Sequence, residues 1–357
     1  VLVNISGAIM DVQEAERVLR EGAADLVLLG RSLVADPFWP KKVLEGREDD
    51  IVPCIRCNNC YHIATEHFNT CCTVNPRVYR ENRVPLTLPR AQTARSVVVV
   101  GGGPAGLKAA LTAAQRGHQV TLVEQSGALG GLMIPASVGA FKEDLRRYLS
   151  YLRRQVEKSQ IHVMLHTRAD RALLEHLHPD AVILAVGGRA VMPPVPGLGT
   201  SGAVQAVALL NAGLETAGTR VTILGGGSIG CELALELAAL DRMVTVVELR
   251  DKLAANGNEL YRQDLMLHLE QETRITILTQ TVCTGVTAQG CTVREKDGGT
   301  RVIPHDTFVI AAGLRADADA VEALYGVVPE TYYVGDCKRA ASITEATTEA
   351  YFLGASL

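Results

Sequence analysis

The chain has 357 residues and a formal net charge of −4, and 47% of its residues are hydrophobic. This length suits two or three domains, and the slight acidity gives no reason to expect nucleic acid or an anionic membrane as a partner. The longest uncharged stretch, Ala190 to Leu214, contains three prolines and several glycines. It therefore predicts a linker with a short helix rather than a membrane span.

The first 46 residues alternate between strand and helix patterns. An apolar strand, VLVNISGAI, is followed by VQEAERVLREGAA, whose apolar positions recur at helical spacing. A second stretch, DLVLLGRSLVADP, predicts a buried strand ending at Gly30 and Arg31, and Pro37 and Pro40 suit the start of a last short helix. These are two βα units rather than a complete domain. Because the sequence opens directly on a strand and without methionine, we expect a fragment or a processed product.

Five of the nine cysteines lie close together, between Cys54 and Cys72. Cys54, Cys57 and Cys60 form C-x2-C-x2-C, and either Cys71 or Cys72 is available as a fourth ligand. Thiolates at this spacing wrap one face of an iron–sulfur cubane, which a more distant cysteine closes. A zinc site with four thiolates is the alternative, although zinc sites usually use two C-x2-C pairs. Such clustering indicates metal ligation in the reducing cytoplasm rather than disulfides.

Residues 51–90 otherwise show little periodicity and end in a proline-containing linker. The remaining four cysteines lie singly in later parts of the chain, and we interpret them as small buried apolar residues. They are Cys231, Cys283, Cys291 and Cys337.

Two copies of one dinucleotide-binding fingerprint follow, Val97 to Glu124 and Val221 to Glu248. In each, a strand of β-branched residues leads into G-x-G-x-x-G, a helix, a second strand and an acidic residue. The first glycine permits a tight turn, the second lets the backbone approach a pyrophosphate, and the third lets helix and strand pack closely. The helix N-terminus faces the phosphates with unpaired N–H groups. Because all parts occur twice, in order and at one constant offset, we predict two nucleotide-binding folds and electron transfer between nucleotide cofactors.

A second feature also occurs twice. DAVILAVG runs from Asp180 to Gly187, and DTFVIAAG runs from Asp306 to Gly313. Each of these stretches predicts the last strand of a nucleotide domain, with its final glycine beside the cofactor. The chain then ends in a strand–turn–helix pattern, YYVGDCKRAASITEATTEAYFLGASL.

In this order, the motifs resemble the iron–sulfur flavoenzymes related to old yellow enzyme, which include 2,4-dienoyl-CoA reductase, 2-enoate reductase and trimethylamine dehydrogenase. The match covers essentially the whole chain. The matching pieces are G-A-I with G-x-A-D-L-V-x-L-G-R-x-L-x-A-D-P (Gly7 to Pro37), the cysteine set, C-x-V-N-P (Cys72 to Pro76), both glycine fingerprints and the final Gly335 and Asp336.

The resemblance implies an α/β fold with three parts: the C-terminal end of a TIM barrel, a small cysteine-rich cluster segment, and two nested Rossmann-like domains. Residues 1–46 would be the last two βα units of the barrel, which is the FMN domain. Residues 47–90 would be the iron–sulfur segment and linker. Residues 91–200 with 316–357 would form the FAD domain, and 201–315 the NAD(P) domain.

The resemblance also implies roles for single residues. The FMN phosphate would lie against Gly7, Gly30 and Arg31, since the last loops of a barrel commonly make a phosphate site. Cys72 would be the fourth ligand of a [4Fe–4S] cluster, because the family's cysteine precedes x-V-N-P. FAD would lie against Gly101, Gly103, Pro104, Ala105, Gly106, Glu124, Gly131, Gly187, Gly335 and Asp336. The nicotinamide nucleotide would lie against Gly225, Gly227, Ser228, Ile229, Gly230, Glu248 and Gly313.

The implied activity is a relay from NADH through FAD and the cluster to FMN, which would reduce the activated C=C bond of a small enoate, enone or dienoyl-CoA type substrate. Glu248 favours NADH because a carboxylate repels a 2′-phosphate, and the nearby Arg250 weakens that preference. About six more βα units would complete the barrel and supply the catalytic residues before Val1. We therefore expect this chain to bind FMN poorly and, with unpaired strand edges, to associate.

Four other functions stay open. The chain is also compatible with an amine-dehydrogenase-like flavoprotein running in the oxidative direction. Another candidate is an electron donor like the small subunit of glutamate synthase. Such a subunit holds two clusters, which need more cysteines than the one set in this chain. A third is a flavin dehydrogenase whose second fold only holds ADP. The fourth is a nucleotide-binding redox sensor without catalysis.

Overall fold

A computed structural model of the chain describes residues 1–65 and 70–357, with the side chains of 64 and 65 outside the description. The described residues form two compact α/β units, in agreement with the predicted fold class. The first comprises Val1–Ile134, Glu143–Gly188 and Ala316–Leu357, and the second comprises Pro135–Lys142 and Arg189–Arg315. Within the described ranges, no helix is long and apolar enough to cross a membrane.

The first unit opens with the predicted strand–helix–strand–helix order. Parallel strands Asn4–Ser6 and Leu26–Leu28 flank the helix Val12–Arg20, and two short helices follow. We expected the second strand to be buried, but Leu26 and Leu28 are 50% and 51% exposed. A parallel strand is buried only where both faces of its sheet are covered, and in the described part of the chain this sheet has two strands.

The cysteine-rich segment contains more regular structure than its sequence predicts. A 3-10 turn, Glu48–Asp50, precedes the cysteines, and the helix Asn59–Thr65 includes Cys60. The sequence of this helix, NCYHIAT, has no apolar stripe of helical period, so hydrophobic periodicity could not reveal it.

The core of the first unit is a five-stranded sheet in which all strands run parallel. In spatial order the strands are Thr331–Tyr333, Ala181–Leu184, Ser96–Val100, Gln119–Val123 and His162–Met164. Its central strand is SVVVV, whose β-branched side chains fill both faces, and Val97 and Val99 are completely buried. The helices of this unit beyond Val12–Arg20 are Arg31–Ala35, Trp39–Leu44, Asn59–Thr65, Pro104–Gln115, Glu143–Glu157, Arg171–Leu177, Ala318–Glu322 and Ile343–Ser356, with a 3-10 turn at Gly335–Cys337.

The second unit repeats the parallel sheet and adds a small antiparallel one. In spatial order the parallel strands are Ile275–Leu278, Met243–Val247, Arg220–Leu224, Thr307–Ile310 and Val204–Gln205. The antiparallel strands are Val282–Val286, Gly290–Arg294 and Thr300–Pro304. The helices are Ala206–Ala212, Ser228–Ala239 and Glu259–Gln271, with 3-10 turns at Ala140–Lys142 and Leu214–Thr216.

Three remaining elements lie where the chain passes from one unit to the other. They are the short helix Met133–Ala136 and the paired strands Gly188–Ala190 and Leu314–Ala316. The second unit thus begins at Arg189, earlier than the expected residue 201, and it includes 135–142, which we had placed in the FAD domain. The four late cysteines are at most 7% exposed, which confirms their interpretation as buried residues.

Candidate functional site

The first fingerprint forms a turn in which packing requires two of the glycines. Gly101 has φ +105°, and a Cβ there would stand 2.3 Å from the carbonyl oxygen of Ala185. A Cβ on Gly106 would stand 1.7 Å from the carbonyl oxygen of Gly101, so the helix can pass the strand only because this residue is glycine. The Glu124 carboxylate is buried and accepts the N–H of Gly102 at 2.6 Å.

The second fingerprint has the same geometry. A Cβ on Gly225 would stand 2.4 Å from the carbonyl oxygen of Ala311, and one on Gly230 would stand 2.0 Å from that of Gly225. Glu248 accepts the N–H of Gly226 at 2.6 Å, as Glu124 does in the first copy. The two turns therefore fold alike because each close approach admits only a residue without a side chain.

The middle glycine of each fingerprint is different, because space is open beside it. No atom lies within 4 Å of a Cβ built on Gly227, and on Gly103 the nearest is the Cα of Gly131 at 4.0 Å. Both glycines are N-caps of long helices that begin at Pro104 and Ser228. An open surface in front of a helix N-terminus suits a pyrophosphate, which needs close backbone approach and unpaired N–H groups.

The other glycines expected near FAD lie at the same end of the first sheet. A Cβ on Gly131 would stand 2.9 Å from the Cα of Gly103, and one on Gly335 would stand 2.9 Å from the Cβ of Ala105. Gly187 has φ +78° and open space beside it. They converge because loops at the carboxyl ends of parallel strands share one edge of the sheet.

Asp336 follows in the 3-10 turn after the last strand of this sheet. One of its oxygens accepts the N–H of Ala341 at 3.1 Å. Burial raises the pKa of this carboxyl, and the nearby charge of Glu345 adds to the increase. A partly buried acid with one oxygen not used by this bond is suited to accept a hydroxyl group of a ligand.

The second sheet gathers its predicted residues at the corresponding edge. Ser228 and Ile229 open the fingerprint helix, and Ile229 remains 39% exposed. Gly313 has φ +93° and no atom within 4 Å of its Cβ position. The second carboxylate oxygen of Glu248 accepts the N–H of Arg250 at 2.8 Å, so the backbone of Arg250 helps to orient the acid.

The cysteine loop contains two residues in the left-handed region. Arg56 has φ 48° and Asn58 has φ 55°. This conformation is costly for an arginine and persists only where the surroundings enforce it. In this loop the backbone N–H of Arg56 donates to the Cys54 Sγ at 3.4 Å. The Cys57 Sγ lies 3.3 Å from the hydroxyl of Thr73.

Cys72 is buried near this loop. Burial raises the pKa of its thiol to about 12, and the backbone N–H groups of Val74 and Asn75 oppose that increase. Negative charge on Cys54 or Cys57 raises the same pKa further. The thiols are therefore close enough to repel one another as thiolates, which a bound metal group would relieve.

Both candidates for the fourth ligand lie near the loop. Burial raises the pKa of the Cys54, Cys60 and Cys71 thiols, and charge on Cys57 raises it further in each case. The Cys71 Sγ also accepts the side-chain N–H of Asn59 at 3.4 Å. Proximity alone therefore does not choose between Cys71 and Cys72.

The sulfur arrangement bears on which metal group fits. Among residues 1–65 and 70–357, no three His, Cys, Asp or Glu side chains stand where one ion could bind them together. A zinc ion needs its four ligands to converge on a single point. A cubane gives each cysteine its own iron atom, so its sulfurs lie further apart. The thiols and the N–H groups near them fit a metal group with thiolate ligands, and this arrangement does not choose between the cluster and the ion.

The three residues expected at FMN share one pocket. Gly7, Gly30 and Arg31 line it together with the two loops they belong to, and Gly7 has φ +114°. The guanidinium of Arg31 donates to the side-chain oxygen of Asn58 in the cysteine loop. Arg31 therefore connects this pocket with the loop that carries the cysteines.

Sequence reasoning missed the contacts that hold the cysteine segment. Asp36 is 2% exposed, forms an ion pair with Lys42 at 2.5 Å and accepts the N–H of Val52 at 2.9 Å. The hydroxyl of Thr347, on the C-terminal helix, donates to the carbonyl oxygen of Thr73 at 2.7 Å. Asp36 belongs to the A-D-P motif, but nothing in the sequence indicated either contact.

A second cluster without a sequence signal lies in the second unit. Lys142 pairs with Glu232, on the fingerprint helix, at 2.7 Å, and the hydroxyl of Tyr261 donates to the same carboxylate oxygen. Burial raises the pKa of Tyr261, and Glu232 adds to the increase. These contacts join the segment Pro135–Lys142 to the rest of its unit.

Comparison with known proteins agrees with this geometry. Residues 95–350 match the family model described as pyridine nucleotide-disulphide oxidoreductase. NADH oxidase of Thermoanaerobacter brockii is 36% identical over 86% of this chain and 48% of its own length. Bilirubin reductase of Mediterraneibacter gnavus is 34% identical over 98% of this chain and 54% of its own length.

A solved structure extends the likeness to the whole fold. The complex of 2-naphthoyl-CoA reductase with 2-naphthoyl-CoA matches 100% of this chain and 54% of its own, with a TM-score of 0.94 and 28% identity. The chain spans about half the length of the curated relatives it matches, 48% and 54%. These matches confirm the resemblance inferred from the motifs, and the family implies the use of FAD and NAD(P)H. The chain belongs to the pyridine nucleotide-disulphide oxidoreductase family.

Proposed function

We propose that this chain takes electrons from NADH and passes them by way of FAD and a [4Fe–4S] cluster toward FMN, for reduction of an activated C=C bond. The observation that carries the proposal is a nucleotide-binding turn that occurs once in each unit and is called a cradle here. In each cradle a glycine with open space beside it is the N-cap of a helix, and a glutamate accepts the N–H of a loop glycine at 2.6 Å. A resident flavin and a visiting nicotinamide nucleotide each require one such cradle.

The residues of each cradle would have separate roles. The N–H groups at the helix starts after Gly103 and Gly227 would hold the pyrophosphates. Glu124 and Glu248 are already oriented by glycine N–H groups and keep further lone pairs for ribose hydroxyls. The charge of Glu248 disfavours a 2′-phosphate, which supports NADH as the donor.

The cysteine loop supports the iron–sulfur part of the proposal. Cys54, Cys57, Cys60 and Cys72 would hold the cluster, and N–H groups such as that of Arg56 would stabilise the charge on sulfur. When bound, flavin exchanges electrons in pairs or singly, and an iron–sulfur cluster carries one at a time.

The names of two similar proteins support the proposed substrate class. Bilirubin and 2-naphthoyl-CoA, after which two similar reductases are named, are conjugated unsaturated compounds. Gly7, Gly30 and Arg31 would bind the FMN phosphate, and an enoate, enone or dienoyl-CoA type compound would be the electron acceptor. We assign the cytoplasm as the location because thiolate ligands survive in a reducing compartment.

The decisive experiment is anaerobic reconstitution of the chain with FAD, ferrous iron and sulfide, followed by NADH. We expect about four iron atoms per chain and rapid bleaching of the flavin absorbance. Cys72→Ser should lose the iron, whereas the matched variant Cys71→Ser should keep it. Protein that stays colourless, or that binds zinc in place of iron, would contradict the proposal.

A further inference from the structure

A lysine contacts the segment that follows Cys72. Lys108 is on the helix Pro104–Gln115, where its Nζ donates to the carbonyl oxygen of Val74 at 3.4 Å and lies 5.6 Å from the centre of the Tyr351 ring. Among the residues that the structure describes, no carboxylate forms an ion pair with this ammonium. Burial lowers the pKa of Lys108 to about 8, and charge on Cys72 opposes that decrease.

A phenol lies near the same thiol. Tyr148, on the helix Glu143–Glu157, is completely buried. Its hydroxyl has no hydrogen-bond partner within residues 1–65 and 70–357. Burial raises the pKa of Tyr148, and charges on Tyr151 and Cys72 add to the increase. The hydroxyl is therefore an unused donor close enough to Cys72 to respond to charge on its sulfur.

Other cations lie near the cysteines. Arg31 lowers the thiol pKa of Cys54, and Arg80 lowers that of Cys71. Lys108 is the cation whose own pKa is raised by charge on Cys72. A buried ammonium is costly unless a negative charge compensates it, and a protonated thiol supplies none.

Negative charge on a group bound at Cys72 would attract the Lys108 ammonium and the hydroxyl hydrogen of Tyr148. We propose that Lys108, assisted by the Tyr148 hydroxyl, stabilises the reduced form of the iron–sulfur cluster and so raises its reduction potential. The physical reason is that reduction adds one electron to a thiolate-ligated group beside a fixed positive charge in a medium of low dielectric. This inference rests on the proposed function, and it assigns to both residues a positioning and electrostatic role without direct ligation.

The test is a redox titration of the reconstituted protein, with dithionite as the one-electron reductant and the signal of the reduced cluster as the readout. In Lys108→Met, we expect the ratio of reduced to oxidised cluster at a fixed potential to fall by about tenfold, which for one electron is a shift of about 59 mV. Tyr148→Phe should shift the potential in the same direction by less. Lys108→Arg, which keeps the charge, should stay close to the parent.

Lys296→Met is the matched control, because Lys296 is exposed in the second unit and should leave the potential unchanged. Lys108→Gln repeats the test if the methionine variant folds poorly. Loss of iron from both neutral variants but not from Lys108→Arg also supports the inference. Parent-like iron content and potential in the neutral variants overturn it, as does equal loss of iron from all three. A parent protein that takes up no iron overturns the proposed function as well.

Discussion

The three glycines of the second fingerprint differ in what surrounds them. Gly225 and Gly230 are packed against carbonyl oxygens, so a methyl group at either would collide with the backbone. Gly227 has open space and a φ of −69°, which alanine adopts without strain. The space beside Gly227 is therefore not needed for folding. We expect it to be needed for the approach of a pyrophosphate.

Gly227→Ala should consequently separate folding from nucleotide binding. We expect an unchanged unfolding temperature and a dissociation constant for NADH raised by about tenfold or more, which is about 1.4 kcal/mol. Gly230→Ala should instead destabilise the second unit. Gly199→Ala is the control, since Gly199 is exposed and has no atom near its Cβ position. Unchanged NADH affinity in Gly227→Ala would contradict the proposal that the second glycine turn binds the pyrophosphate of NADH.

His305 links the stability of the second unit to pH. It is 3% exposed, its Nε2 lies 3.2 Å from the carbonyl oxygen of Thr287, and its Nδ1 has no partner among the described residues. Burial lowers the pKa of His305 below its ordinary value of 6.5. The stability contributed by neutral His305 is therefore complete above about pH 6.5 and is lost as the pH falls below that value.

His305→Gln should weaken this dependence. Between about pH 7 and pH 5, we expect the parent to lose unfolding free energy through His305, and the variant should not show that loss. Urea unfolding at the two pH values measures the difference. His268→Gln, at an exposed histidine of the same unit, should lose as much unfolding free energy between the two pH values as the parent does. An equal loss in the parent and in His305→Gln would contradict the role given to His305.

At the scale of elements, the C-terminal helix holds the cysteine segment. Thr347 is completely buried and its hydroxyl donates to the carbonyl oxygen of Thr73 at 2.7 Å. Thr344 contacts the hydroxyl of Thr73 at 2.7 Å and accepts the side-chain N–H of Asn59 at 3.1 Å. The helix itself begins with a capping box of Ser342 and Glu345, so its first turn is well defined.

Thr347→Val keeps the shape of the side chain and removes its donor. The carbonyl oxygen of Thr73 then loses its bond, which should cost about 1–3 kcal/mol of unfolding free energy in the first unit. Reconstituted protein should also lose iron faster to a chelator. Thr200→Val, at an exposed threonine, is the control. Equal stability and equal iron loss in the two variants would show that this contact does not hold the segment.

At the scale of the whole molecule, the strands near the N-terminus expose apolar side chains. Leu2, Leu26 and Leu28 are 74%, 50% and 51% exposed. The parallel strands Asn4–Ser6 and Leu26–Leu28 pair only with each other in the described part of the chain. Exposed apolar surface beside unpaired strand edges favours association with other copies.

We expect the purified chain to form oligomers whose size rises with concentration. Replacing Leu26 and Leu28 by Glu should shift the population toward the monomer, because charged groups oppose both apolar contact and edge pairing. Light scattering after size exclusion measures the effect. Leu267→Glu, at a leucine that is 51% exposed on a helix of the second unit, should leave association unchanged. A parent that is monomeric at all concentrations would contradict this expectation.

Local chemistry made much of the architecture predictable. The turns at Gly101 and Gly225 follow from the backbone alone, because each close approach excludes any side chain. The β-branched strands and their order along the chain likewise predict two parallel sheets. The resemblance then named the family, which the comparisons confirm. The roles given to FAD, FMN and the cluster stay predictions.

Only the tertiary structure brought together residues that are distant in the chain. Lys108 and Tyr148 lie on two helices and both respond to charge on Cys72, and Arg31 donates to Asn58. No periodicity or spacing records such contacts, since they depend on how whole elements pack. Sequence alone therefore determined where nucleotides and metal are to be expected, through the backbone geometry of the glycine turns and the spacing of the cysteines. The fold decided which charges and donors surround them, because electrostatic surroundings are set by proximity in space.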